Sequence, residues 1–316
     1  MDGPIRRSLL SFVLVCLAAC APVPEPTAGP AIVDAPTKTE AVEPMPLAKD
    51  SLKFCVLGDA GTGDRAQYTL AAQMAKTHQA FPFEMCLLVG DNMYGDERPQ
   101  DREQKFEIPY KPLLDADVKF YAALGNHDER LQANYEHFNM NGKLYYSFKG
   151  PKQSARFIAL ESTYPEPEQI QWVGEELKNS TDEWKIPFFH HPLYSSGQRH
   201  GSDLRLRASL EPLFVDHNVS VVFTGHDHFY ERTAPQKGIP YFVVGSGGKL
   251  RSGNIDPRSG ITARGYDTGH AFLIGEILGD DLVFRAINQA GAVVDSGRIR
   301  RRIPPGSLIQ APGAGR

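Results

Sequence analysis

Seven apolar stretches of strand length punctuate the first three-quarters of this chain, at 52–57, 85–89, 118–123, 156–160, 186–189, 219–223 and 241–244. They are apolar throughout rather than alternating, which suits strands buried on both faces. Between the first two, 66–78 reads as a helix. The stretch 169–177 reads as another, with Trp172, Val173 and Leu177 recurring on one face. After Ala271 the pattern changes. Stretches at 271–278, 281–288 and 292–299 are separated by Gly-Asp and Ala-Gly turns, an antiparallel meander. Strands alternating with helices and ending in a meander predict an α/β fold, with two packed mixed β-sheets flanked by helices in one domain over 51–300. No internal repeat is apparent.

Polar motifs stand at the ends of five of these runs: Gly58-Asp59-Ala60-Gly61, Gly90-Asp91-Asn92-Met93-Tyr94, Gly125-Asn126-His127-Asp128, His190-His191-Pro192 and Gly225-His226-Asp227-His228. In open α/β sheets ligands bind outside the carboxyl ends of the strands, so five motifs delivered there should converge. Asp, Asn and His supply oxygen and imidazole donors suited to iron, zinc and manganese. Glycine before four of the candidate ligands allows a tight turn at the strand end. In His226-x-His228 the two side chains of an extended segment point the same way and can address one pair of ions. Each motif alone is weak: a Gly-Asp at a strand end is usually a turn, and a His-x-His pair is as often structural. Their order and placement together make the signal specific.

These motifs make the chain resemble the calcineurin-like metallophosphoesterase superfamily. Within it the chain is similar to the purple acid phosphatases of the small tartrate-resistant type, over roughly 52–290. The discriminating residue is Tyr94, three positions after Asp91, a spacing that marks the purple branch. Supporting matches are Asn139-Met140-Asn141 before Tyr145-Tyr146, His190-x-Pro192 running to Tyr194-Ser195, and the stretch 241–248. The resemblance implies a metallophosphoesterase-type αββα sandwich holding two metal ions. Asp59, Tyr94 and His228 would bind Fe(III); Asn126, His190 and His226 would bind Fe(II), Zn(II) or Mn(II); Asp91 would bridge them. A hard trivalent ion favours the anionic oxygens of Asp59, Asp91 and Tyr94, while the softer divalent site receives imidazoles.

The implied activity is that of an acid phosphatase, hydrolysing phosphomonoesters with a metal-acidified water attacking phosphorus. His127 would protonate the leaving group, with Asp128 orienting its imidazole. His200 would contact phosphate or share the acid's duty, although its loop is one residue longer than in the mammalian-type enzymes. Arg199 reads as an exposed loop residue with phosphate contact as the alternative. His191 reads as a packing or hydrogen-bonding neighbour, Glu231 and Arg232 as residues that pair or pack structurally, and His270 as structural. A phosphodiesterase using two divalent ions, and an anchored binding protein without turnover, are the competing functions.

The termini lie outside this fold. Arg6 and Arg7 precede a mostly apolar 9–17, and Leu17-Ala18-Ala19-Cys20 resembles a bacterial lipobox. Residues 1–20 therefore read as a lipoprotein signal peptide with Cys20 lipidated. Ala21 in place of Asp looks like outer-membrane sorting, with the enzyme facing periplasm or exterior. Residues 21–50, rich in Pro, Ala, Glu and Thr, read as a flexible tether, and 301–316 as a disordered tail. The only membrane contact expected is through the lipid. A net charge of -4 argues against a nucleic-acid partner, and a monomer is expected. Cys55 and Cys86 lie inside apolar runs, where a disulfide and two buried thiols are both open.

Overall fold

The computed structural model describes Met1, Gly3 and residues 42–303. The expected signal peptide, Cys20, most of the tether and residues 304–316 lie outside the described residues. The first half of the fold comprises β1 (Leu52–Leu57), α1 (Arg65–Ala80), β2 (Met85–Val89), α2 (Pro99–Arg102), α3 (Ile108–Leu114), β3 (Lys119–Ala123), β4 (Tyr146–Lys149) and β5 (Ala155–Ala159). There follow α4 (Pro167–Asn179), β6 (Trp184–Phe188), α5 (Leu204–Asp216), β7 (Val222–Thr224), β8 (Tyr230–Thr233), β9 (Tyr241–Val244) and β10 (Thr262–Tyr266). The meander closes the chain as β11 (Ala271–Leu278), β12 (Asp281–Asn288) and β13 (Val293–Arg300).

Two sheets form, in the orders β13-β12-β11-β1-β2-β3 and β10-β8-β9-β7-β6-β5-β4. Both are mixed. Strands β1, β2 and β3 run parallel while β11 is antiparallel to β1. In the second sheet β5, β6, β7 and β9 are parallel; β4 and β8 run against them at either side, and β10 pairs antiparallel to β8 at the edge. The sheets pack face to face: Phe54 of β1 meets Phe157 of β5 at 5.7 Å and Phe223 of β7 at 5.9 Å between ring centroids. Outside the second sheet, Val173 and Leu177 of α4 join Leu206, Leu210 and Phe214 of α5 in a separate apolar cluster. On the first sheet, α1 buries Leu70, Ala71 and Met74. Helices thus cover the outer faces, which is why the central strands could be apolar on both sides.

Two boundaries differ from expectation. Residues 42–50 are not a free tether. Leu47 and Ala48 each donate a backbone N–H to the fully buried Glu276 carboxylate at 2.9 Å, and Arg285 donates to the Glu43 carbonyl at 2.8 Å. A buried carboxylate on β11 needs donors, and this segment provides them. At the other end Arg301 and Arg302 remain tied, through Asp280 O at 2.9 Å and Ser220 Oγ at 3.1 Å. Cys55 and Cys86 face each other across β1 and β2 and are disulfide-bonded.

Candidate metal centre

The parallel strands deliver the motifs to one edge. Asp59 follows β1, Asp91 follows β2 and Asn126 follows β3. From the facing sheet His190 follows β6, and His226 and His228 follow β7. The turns are sharper than a glycine signal implies, because the candidate ligands themselves adopt left-handed backbone: Asp59 at φ 54°, Asp91 at φ 50° and His226 at φ 70°. Asp and His tolerate this region better than most residues. The glycines serve mainly close approach. A Cβ at Gly225 would fall 2.5 Å from Asp59 Oδ2, and one at Gly90, which also has φ +91°, would fall 2.5 Å from His190 Nδ1.

The seven expected ligands converge. Tyr94 Oη lies 3.2 Å from Asp59 Oδ1 and 3.3 Å from His228 Nε2, and His228 Nε2 lies 3.4 Å from the same carboxylate oxygen. His190 Nε2 lies 3.1 Å from Asn126 Oδ1, 3.1 Å from His226 Nδ1 and 3.3 Å from Asp91 Oδ1. Ligand atoms of Asp91, Asp59 and His228 also lie within 4.8 Å of one another, so Asp91 stands between the two groups, and its Oδ1 accepts the His127 N–H at 3.0 Å.

The donor chemistry tests whether cations fit. His190 Nδ1 is 3.0 Å from the Val89 carbonyl, which has no proton to give, so Nδ1 carries the ring hydrogen. Nε2 then offers a lone pair, and it faces the oxygens of Asn126 and Asp91, which offer lone pairs too. Electron pairs facing electron pairs in a buried site make sense around a positive ion. The protonation energetics agree. Burial and then the neighbouring Asp91 raise the Asp59 carboxyl well above its ordinary range. Burial, followed by the surrounding imidazoles, holds His226 down to about 2, and burial followed by Arg251 holds His228 to about 4. Burial likewise depresses His190, and burial with the nearby Asp59 and Asp91 carboxylates pushes the Tyr94 phenol far up. Cations at this place would reverse the logic for the acids, favouring carboxylate and phenolate.

The residues expected to act on substrate are placed differently from one another. His127 is exposed beside Tyr94, with ring centroids 4.9 Å apart. His200 is exposed and lies over His226 at 4.2 Å. Asp128 does not orient the His127 imidazole. Its carboxylate is taken up by the backbone N–H groups of Asn92, Met93 and Gly125 at 2.8–3.1 Å and by the side chains of Asn92 and Gln132. It ties the loop after β2 to the loop after β3, which sets Asp91 against Asn126. Burial pushes its carboxyl up to about 8.

Sequence reasoning missed two contributors. Asp227, fully buried, accepts from Ser195 Oγ and from Gly201 N at 3.1 Å, and so holds the loop that carries His200. Gln132 links Asp128 to Glu97. Asp227 could have been suspected from its place inside His-x-His; Gln132 carries no local signal. His191, expected to pack or hydrogen-bond, does so through Ser162 Oγ, which accepts its backbone N–H and stands 3.0 Å from its Nδ1. The remaining assignments fall as structural: Glu231 accepts from Ser196 N at 2.9 Å, Arg232 forks onto Asp295, and His270 Nδ1 lies 3.0 Å from Ser246 O.

Fold and site together define a metal-dependent phosphoesterase with a two-ion centre. Residues 52–230 match the calcineurin-like phosphoesterase family, to which the chain belongs. It is 23% identical to purple acid phosphatase 7 of Arabidopsis thaliana over 80% of this chain and 87% of that protein. It is 24% identical to tartrate-resistant acid phosphatase type 5 of Mus musculus over 69% of this chain and 78% of that one. Several other purple acid phosphatases that it matches are longer, and the chain spans about half of their length. The fold is similar to that of purple acid phosphatase PPD1 from yellow lupin, with a TM-score of 0.65 and 18% identity over 82% of this chain and 55% of that chain.

Proposed function

We propose that the chain is a purple-type acid phosphatase that hydrolyses phosphomonoesters, with Asp59, Tyr94, His228 and the shared Asp91 holding Fe(III), and Asn126, His190 and His226 completing a site for Fe(II), Zn(II) or Mn(II). The observation that carries this reading is the Tyr94 hydroxyl lying between Asp59 Oδ1 and His228 Nε2. A phenol there adds the third anionic oxygen that a trivalent ion prefers. Bound ions would acidify water and neutralise charge growing on the phosphoryl oxygens. The chain's own groups do the rest. His127 protonates the leaving oxygen from the exposed side of Tyr94, and His200, held over His226, donates to the phosphoryl group. Lys249 Nζ, 4.6 Å from the Tyr94 ring centroid, adds positive charge beside the same site.

The test joins metal analysis to a visible spectrum and to paired chromogenic mono- and diesters. A coloured, iron-containing enzyme that prefers the monoester is expected. A colourless protein carrying only zinc or manganese would remove the Tyr–Fe(III) assignment, and a strong diester preference would instead favour the two-divalent-ion phosphodiesterase. We further propose an exported monomer anchored through lipidated Cys20, a reading supported by the Cys55–Cys86 disulfide, which fits an oxidising compartment. Release of a Cys20→Ser variant from the membrane fraction is the expected result; unchanged membrane association would refute the anchor.

A further inference from the structure

A cleft of about 420 Å³ opens beside the metal centre, lined by His226, His200, Arg199 and Arg205 among others. Arg205 and Asp203 also line a second cavity of about 530 Å³, whose apolar wall includes Ile170 and Leu206. Because Asp203 and Arg205 border both, the two cavities adjoin as one trough beside the candidate ligands. Asp203 brings negative charge there, but its Oδ1 is occupied as the N-cap of α5, accepting the N–H groups of Arg205 and Leu206 at 3.0 and 2.9 Å. Among the described residues, the guanidinium groups of Arg199 and Arg205 form no hydrogen bond or ion pair, whereas Arg156, Arg298 and Arg301 all have carboxylate partners. Tyr164, between two residues of the second cavity's wall, is 67% exposed.

Resting on the phosphomonoesterase reading, we infer that this trough binds the leaving group of a nucleoside bisphosphate, with Arg199 and Arg205 on the phosphate that is not cleaved and the base over the apolar wall beside Tyr164. Two unpaired guanidiniums suit a phosphate, which they can grip bidentately. An exposed tyrosine beside an apolar wall suits an aromatic base, since stacking requires no particular base edge. The reaction consumes one water. Its oxygen joins phosphorus as the ester P–O bond breaks, and one of its protons ends on the nucleoside oxygen.

The test compares kcat/KM for adenosine 3′,5′-bisphosphate, for both adenosine monophosphates and for phenyl phosphate, in the metal-loaded enzyme. The bisphosphate should exceed each monophosphate by about tenfold or more, and Arg205→Met should erase most of that preference. Tyr164→Ser should weaken all adenosine substrates relative to phenyl phosphate. Equal rates for bisphosphate and monophosphates, with Arg205→Met leaving their ratio unmoved, overturn the inference. Phenyl phosphate turnover separately judges the hydrolase reading. Should it fail, calorimetric binding of the bisphosphate to the wild type and to Arg205→Met still decides the trough: tighter binding by the wild type supports it, and equal binding rejects it.

Discussion

Replacing Gly225 by alanine probes the metal centre without altering any side chain in it. The new Cβ would lie 2.5 Å from Asp59 Oδ2 and 3.0 Å from the Val89 carbonyl oxygen, where ordinary contact begins at 3.4 Å. Val89 belongs to a central parallel strand and has little freedom, so Asp59 must retreat by about 1 Å. The displaced oxygen is the one that accepts the His226 N–H at 2.9 Å, so two expected ligands, addressed to different ions, move together. Overpacking of this kind costs about 1–3 kcal/mol, and a misplacement of about 1 Å at a reacting centre costs on the order of 10²-fold in rate. Gly225→Ala should therefore fold, lose metal per chain by elemental analysis, and drop in kcat/KM by about 10²-fold. Gly174→Ala is the matched control. Gly174 lies in α4 and its Cβ would meet only Leu213 of α5, at 3.6 Å, so this variant should keep full activity and gain about 0.5–1 kcal/mol from helix propensity. Wild-type metal content together with kcat/KM within about threefold for Gly225→Ala would refute the close-approach argument.

Other perturbations separate the roles assigned here. Tyr94→Phe keeps the ring and removes the oxygen beside Asp59 and His228; the visible absorption band should vanish while a second ion remains by elemental analysis. His127→Ala should lower kcat by about 10²–10⁴-fold for alkyl phosphates and much less for nitrophenyl phosphate, whose leaving group needs no proton. A uniform loss across leaving groups would deny His127 the acid's role. Glu276→Ala leaves Lys53 buried without its carboxylate, 3.4 Å away in the native fold, and frees the segment at 47–48. Removing one partner of a buried pair costs about 3–5 kcal/mol, read as a lower urea midpoint with early proteolysis before residue 51.

The uninterrupted apolar runs made most of the sheet framework legible. Strands β1, β2, β9, β11 and β12 fall where the sequence puts them. Elements whose residues look local or polar were not legible. Strands β8 and β10 mix charged and small residues, and their pairing is set by the neighbouring edge. Helix α5 carries Pro212 in its interior, which argues against a helix, yet Leu206, Leu210 and Phe214 bury one face and hold it. The segment at 42–50 looked like linker because its partner, Glu276, is over two hundred residues away.

The candidate ligands could be read from the chain itself, because metal chemistry restricts the residue types and the α/β topology restricts where they sit. Asp59, Asp91, Tyr94, Asn126, His190, His226 and His228 could all be named before any coordinates. What holds them could not. Asp128 binding the loops rather than an imidazole, Asp227 steering His200, and the trough shared by Arg199 and Arg205 arise between segments distant in sequence. A side chain's type tells which bonds it can form; only the packed chain decides which partner arrives within 3 Å, because that choice depends on every element placed around it.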